Sequence, residues 1–248
     1  MQPIIRLGQQ AIKHAGKIVL RHYDRQNLKT PRDSSASGWQ TLLNDLVLNE
    51  LFEHFAGKSK VFLDTDLRED YTGWALHAIE GADLFHRQIP QLCLSMQYQQ
   101  RGAVKHAIIY EPFHDLLFYA SNGDGSFVNN VRCRTRQHSD HELYGISTGQ
   151  PAAGLTNDLT TLSLSQMPCL TLPCPSLAAA YFASGRIGAL IADAINPALA
   201  NTIALVVKES GGLVSDWQGK PQYQHQLLAA TPSSLGKLVK AIHGTTQG

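Results

Sequence analysis

The chain has 248 residues, a formal net charge of +1, and 17% charged against 43% hydrophobic residues, a balance too apolar for a disordered tail and too weakly charged for an electrostatic nucleic-acid binder. The opening MQPIIRLGQQ lacks the basic stretch, apolar run and cleavage site of a secretory signal, and no run of about 18 apolar residues reads as a membrane span. Four scattered cysteines, Cys93, Cys133, Cys169 and Cys174, form no CxxC pair and read as ordinary thiols of a cytoplasmic protein.

Ile5, Ile12, Ala15 and Val19, with Leu7 and Ala11 less regularly, share one side of a 3.6-residue period and predict an amphipathic helix. Its basic residues Lys13, Lys17, Arg21 and Arg25 read as a solvated face. The polar, aperiodic run from Asp24 to Gly38 predicts an exposed loop, and Leu42, Leu43, Leu46, Val47, Leu51 and Phe55 predict a second helix. Val61 to Leu63 and Trp74 to Leu76 read as short strands ending in polar or acidic residues. Alternation from Leu92 to Tyr98, then Val104 to Tyr110 and Asp115 to Ala120, predicts an antiparallel meander, followed by the Asn122-Gly123-Asp124-Gly125 turn, a strand at Phe127-Val128 and a turn at Asn129-Asn130. From Leu143 onward, apolar runs at 144–147, 187–191, 213–215 and 227–230 alternate with helical patterns at 176–184, 198–210 and 234–243. That texture predicts an α/β second half, with subdomains at 1–142 and 143–248.

Several ordered motifs resemble those of the inositol monophosphatase family. Pro197 to Asn201, running into Glu209-Ser210-Gly211-Gly212 and Asp216-Trp217-Gln218-Gly219, resembles the family's P-W-D-x-A-A helix, its E-A-G-G end and the D-x-x-G turn beyond. Gly185-Arg186-Ile187-Gly188 resembles A-x-G-R-x-D-G, and Trp74 to Gly81 with Pro90 aligns on W-I-I-D-P-I-D-G-T followed by N-F and a proline. Tyr110-Glu111-Pro112, Gly123 to Phe127 and Asn129 fall where the family has V-Y-x-P, K-G-x-G-A-F and N-G. The resemblance implies an α+β fold, a layered α/β/α/β/α sandwich like inositol monophosphatase and fructose-1,6-bisphosphatase. It also implies magnesium-dependent phosphomonoesterase activity and a homodimer.

Metal-assisted hydrolysis of a phosphomonoester needs converging hard oxygen ligands and a water activated on the metal. The family supplies them from a Glu-Glu pair after the first strand, two Asp of D-P-x-D-G-T, and the Asp of W-D, with the Thr hydroxyl helping to activate the water. Carried over singly, the first position falls on Asp64, or on Thr65 or Asp66 if the register shifts. In the central motif the acids become His77 and Glu80, Ile79 persists to offer its carbonyl, Ala78 replaces Pro, Gly81 persists, and Ala82 replaces the Thr. The Asp of W-D becomes Leu199, and the T-x-x-D acid becomes Asn44 unless Asp45 substitutes for it. Near the substrate the W-E acid falls on Ala192, beside Asp193, and the Asp of G-R-x-D-G on Gly188.

A histidine and a longer carboxylate suit manganese or zinc better than magnesium, whereas a strand-end histidine also serves as hydrogen-bonded structure. Asp64, His77, Ile79 and Glu80 are thus the candidate metal ligands, for magnesium as in relatives, for manganese or zinc, or for none. Gly81, Ala82 and Asp193 are the candidate phosphate contacts, Gly81 serving either an anion-binding helix start or only its turn. No catalytic residue is assigned, because Ala82 has no hydroxyl. The replacements fall on ligands, while Trp74, Gly81, Pro90, Gly185, Arg186, Pro197, Glu209, Gly211 and Gly212 remain. The reading is a weak or inactive phosphatase that binds a phosphorylated small molecule or a protein partner, with no nucleic acid or membrane involved. The alternative is an active metal-dependent phosphomonoesterase with an altered metal site. A regulatory interaction role is a third reading, since some bacterial relatives contact the transcription machinery.

Overall fold

A computed structural model of the chain describes residues 3–28, 36–64, 71–77, 79–136, 143–148 and 168–244. The expectations for Thr65, Asp66 and Ala78 lie outside them. The chain divides into two compact units, Met1–Tyr119 and Ala120–Gly248.

In the first unit, α1 (Pro3–Leu28) and α2 (Ala36–Phe55) precede β1 (Val61–Leu63), β2 (Gly73–Leu76), the short α3 (Ala82–His86), β3 (Leu94–Gln100) and β4 (Ala103–Glu111), with β5 (Leu116–Ser121) crossing the boundary. Ile5, Ala11, Ile12, Ala15 and Val19 of α1 are all buried, as the 3.6-residue period predicts. The helix runs on to Leu28, through residues expected to begin the loop. Arg25, Gln26 and Leu28 are good helix formers, which offsets the weaker Asp24 and Asn27. In α2 the buried stripe is Leu43, Val47, Leu51 and Phe55, at i+4 spacing, and Leu42 turns outward.

β1 pairs parallel with β2, and β2, β3 and β4 pair antiparallel in sequence order. Two residues with positive φ, Arg101 and Gly102, close the β3–β4 hairpin, the backbone that matches strand twist. The alternation along β3 does not mark one wet face: Ser95, Gln97 and Gln99 are as withdrawn from water as Leu94 and Met96. Gly8 lets α1 lie close on this sheet, since a Cβ there would stand 2.4 Å from the Trp74 ring. Glu111 caps the β4–β5 turn by accepting from the Phe113 and His114 N–H groups at 2.7 and 3.0 Å.

In the second unit, β6 (Gly125–Val128) and β7 (Val131–Cys133) form a hairpin closed by Asn129 and Asn130, both with positive φ. A five-stranded sheet follows in the order β11-β12-β10-β8-β9, from β8 (Tyr144–Thr148), β9 (Cys169–Thr171), β10 (Ala189–Asp193), β11 (Leu213–Ser215) and β12 (Leu227–Ala230). β8, β9 and β10 run parallel, and β10, β12 and β11 pair antiparallel. The helices are α4 (Pro175–Ala183), α5 (Pro197–Glu209) and α6 (Leu235–Gly244).

Period-two alternation divides the core of this unit. Leu190, Ala192, Leu227 and Ala229 face a cluster with Phe182, Leu199, Ile203 and Val207 of α4 and α5, while Ala189, Ile191, Leu228 and Ala230 face Trp217 and the α6 residues Leu238 and Ile242. Asn196 caps α5 by accepting from the Ala198 N–H, with Pro197 at the first helical position. At the other end of α5, Glu209 accepts from the Gly123 and Gly125 N–H groups at 2.7 and 2.8 Å. The result is a mixed α+β fold with two sheets. All four cysteines are free thiols, and among the described residues no helix is long and apolar enough to cross a membrane.

Candidate functional site

The strand ends of the first unit gather the residues singled out by sequence. Asp64 closes β1, His77 follows β2, and Glu80 forms an isolated bridge with Cys93, exchanging N–H to carbonyl bonds of 3.1 and 3.0 Å. His77 Nδ1 lies 3.1 Å from the Asp64 carboxylate, and the imidazole is almost wholly buried, with 2% of its side chain exposed. The Ile79 N–H donates to the Asn44 side-chain oxygen at 3.0 Å, so this amide holds the backbone of the loop between β2 and α3. Ser95 joins the two ends of that loop. Its carbonyl accepts from the His77 N–H at 3.2 Å, and its hydroxyl donates to Glu80 Oε1 at 3.2 Å.

Sequence reading missed Ser95. The only available signal was that it lies one strand across from the His77 segment, which requires the register of β2 on β3.

Gly81 takes a left-handed conformation, φ 86°, as the N-cap of α3, and Ala82 is buried in the first turn. The expected helix start is therefore present, but α3 spans five residues, and Asp83 already places a negative charge in its first turn.

In the second unit, Asp193 sits at the C-terminal end of β10. Its carboxylate accepts from its neighbour's N–H, that of Ala194, at 2.8 Å, and from the Gln226 amide at 3.3 Å. Leu199 packs in the apolar cluster of α4, α5 and the sheet, with 7% exposure.

Magnesium requires near-octahedral oxygen ligation at about 2.1 Å. Among the described residues no three His, Cys, Asp or Glu side chains converge in a way that could hold a metal ion. The donors at the strand ends are instead turned on one another: Asp64 on His77, Asn44 on the Ile79 amide, Glu80 on Ser95. This donor set does not fit a magnesium cage. It is chemically suited to tying the end of β1, α2 and β3 to the 77–80 loop.

The family model of the inositol monophosphatase family matches residues 1–247. The Nus factor SuhB of Buchnera aphidicola subsp. Baizongia pistaciae is 25% identical over 241 residues, covering 90% of this chain and 89% of that protein. The fructose-1,6-bisphosphatase/inositol-1-monophosphatase of Thermotoga maritima is 30% identical over 152 residues, 59% of this chain and 57% of that one. Among solved structures, the extragenic suppressor protein suhB of Bartonella henselae superposes with a TM-score of 0.80 at 23% identity, covering 97% of this chain and 98% of that one, which shows the shared fold.

Proposed function

The chain belongs to the inositol monophosphatase family, and from that premise we propose that it is a member whose phosphomonoesterase centre has become a structural hydrogen-bond set, acting by binding rather than by turnover. The observation that carries this reading is the pair of contacts Asp64 to His77 and Asn44 to Ile79. The first joins two side chains and the second holds a backbone amide, at positions where the resemblance places ligands. Ala82 lacks the hydroxyl that in the family helps prime the attacking water, and Leu199, in the second unit, packs among Phe182, Ile203 and Val207 and offers no oxygen ligand.

Relatives named as Nus factors support a protein as the bound partner, and the resemblance supports a phosphorylated ligand as the other candidate. The cytosol is the compartment this reading implies. The test is an assay of the purified chain with inositol, sugar and adenosine phosphates, in magnesium, manganese and zinc separately. We expect turnover below about one per hundred seconds, far under the usual range of about one to a thousand per second for competent enzymes. Turnover near one per second with any of the three ions, abolished by His77→Ala or Glu80→Gln, would overturn the proposal in favour of an altered metal site.

A further inference from the structure

We propose that the second unit carries a binding site for a small polyanion bearing two or more phosphate groups, in a hollow of about 500 Å³ lined by Arg132, Arg134, Arg136, Arg186, Cys133 and Ser184. The proposal goes beyond the reading above, since it holds whether or not the chain hydrolyses phosphate. Four arginines line it, together with Val128 and Val131, in a protein whose formal net charge is only +1. Arg132, Arg134 and Arg136 are exposed, and among the described residues no carboxylate stands within ion-pair distance of them.

Local structure builds the hollow. The β6–β7 hairpin sets Arg132 opposite Phe127 and Cys133 opposite Ser126. Beyond β7 the chain is tied by the Thr135 N–H, which donates to the Ser210 carbonyl at 3.0 Å. Across the hollow, α4 ends at Ser184, and the Arg186 N–H donates to the Tyr181 carbonyl at 2.9 Å while its guanidinium lies 5.1 Å from the Tyr181 ring centre. That contact preorganises the cation.

Two glycines with positive φ leave the room this needs. A Cβ at Gly125 would stand 2.8 Å from an Arg132 guanidinium nitrogen, and one at Gly185 would stand 2.8 Å from the Arg136 stem. Burial raises the Cys133 thiol, and the nearby charge of Arg186 pulls against it.

Guanidinium forks match phosphate oxygens in pairs, and the three exposed arginines with Arg186 beside them suit a ligand that carries several negative charges. The volume is that of a small-molecule site. A nucleic acid would instead call for a broad basic surface, which the near-neutral chain does not supply.

The test is calorimetric titration of the full chain with inorganic tripolyphosphate, repeated at raised salt and with a ten-nucleotide single-stranded RNA. We expect one tripolyphosphate per chain with a Kd of about 100 µM or tighter at low salt. Affinity should fall by roughly tenfold or more in an Arg132→Gln/Arg186→Gln variant and stay unchanged in Lys237→Gln. Tripolyphosphate should also slow alkylation of Cys133, followed by peptide mass spectrometry in the unmodified sequence, a readout that survives if the double variant fails to fold. Binding only in the millimolar range, or equal binding by all variants without Cys133 protection, would overturn the proposal. RNA binding that is lost in the arginine variant while tripolyphosphate leaves Cys133 unprotected would replace it with a nucleic-acid surface.

Discussion

Two carboxyl-and-amide devices, one in each unit, do similar work with opposite histories. In the second unit, Glu209 stands at a position the family motif shares and still grips the Gly123 and Gly125 N–H groups. In the first, the Asn44 amide grips the Ile79 N–H. The comparison teaches that a polar group survives when its partner is the protein's own backbone. At the strand ends of the first unit the partners are side chains: Asp64 meets His77 and Glu80 meets Ser95.

The sharpest way to break this comparison is to return an acid to a ligand position. Leu199→Asp should destabilise the protein by about 3–5 kcal/mol at neutral pH, because it puts a carboxyl into the cluster of Phe182, Ile203 and Val207. Desolvation would raise that carboxyl's pKa above its unfolded value of about 4. The penalty should therefore be full above the folded pKa and shrink as pH falls toward the unfolded one, which urea denaturation at neutral and acid pH would show. An undiminished loss at acid pH would mean that shape, not charge, is at fault.

Next in size, Glu209→Ala should cost about 2–3 kcal/mol, since it abandons two charge-assisted bonds to backbone donors. A loss below about 0.5 kcal/mol would show that water replaces the carboxylate there. Asn44→Ala should cost about 1–2 kcal/mol by stranding the Ile79 N–H, whereas Asn44→Asp keeps an acceptor and should change thermal stability little. If both variants melt alike, Asn44 is not serving as the backbone clamp.

The smallest effect belongs to an exposed pair. Lys13, first, and Tyr110 hold the Asp115 carboxyl below its ordinary value, although both members of the Lys13–Asp115 pair are substantially solvated. Its contribution, below about 0.5 kcal/mol after screening, is present above the unfolded value of about 4 and is lost as pH falls through the lowered one. Asp115→Asn should flatten the stability profile only below about pH 4.

The core faces of α1, α5 and the second sheet were legible because apolar spacing reports burial directly. Leu190 and Ala192 point to one side and Ala189 and Ile191 to the other, as a period of two requires. β9 was not legible, since three residues between Pro168 and Pro173 are too few to show a period. At the strand ends, the identity of each replacement was plain in sequence, but its new partner was not. Asn44 and Ile79 meet only after α2 has packed, and Ser95 reaches Glu80 only through the β2–β3 register. The arginine hollow was illegible for the same reason: Arg186 arrives from a segment far from Arg132 along the chain.

The two pairing patterns also dictate an order of assembly. β3 and β4 close over two residues, a local event with a small loop-closure cost, whereas β8 lies parallel to β10, from Tyr144 beside Ala189 to Thr148 beside Asp193, and must wait for a long crossover to return. In pulse-labelled hydrogen exchange during refolding, amides of the β3–β4 ribbon should gain protection before those shared by β8 and β10. The slow step of making this protein is then the threading of its parallel strands, and the chain emerges with its meander already formed.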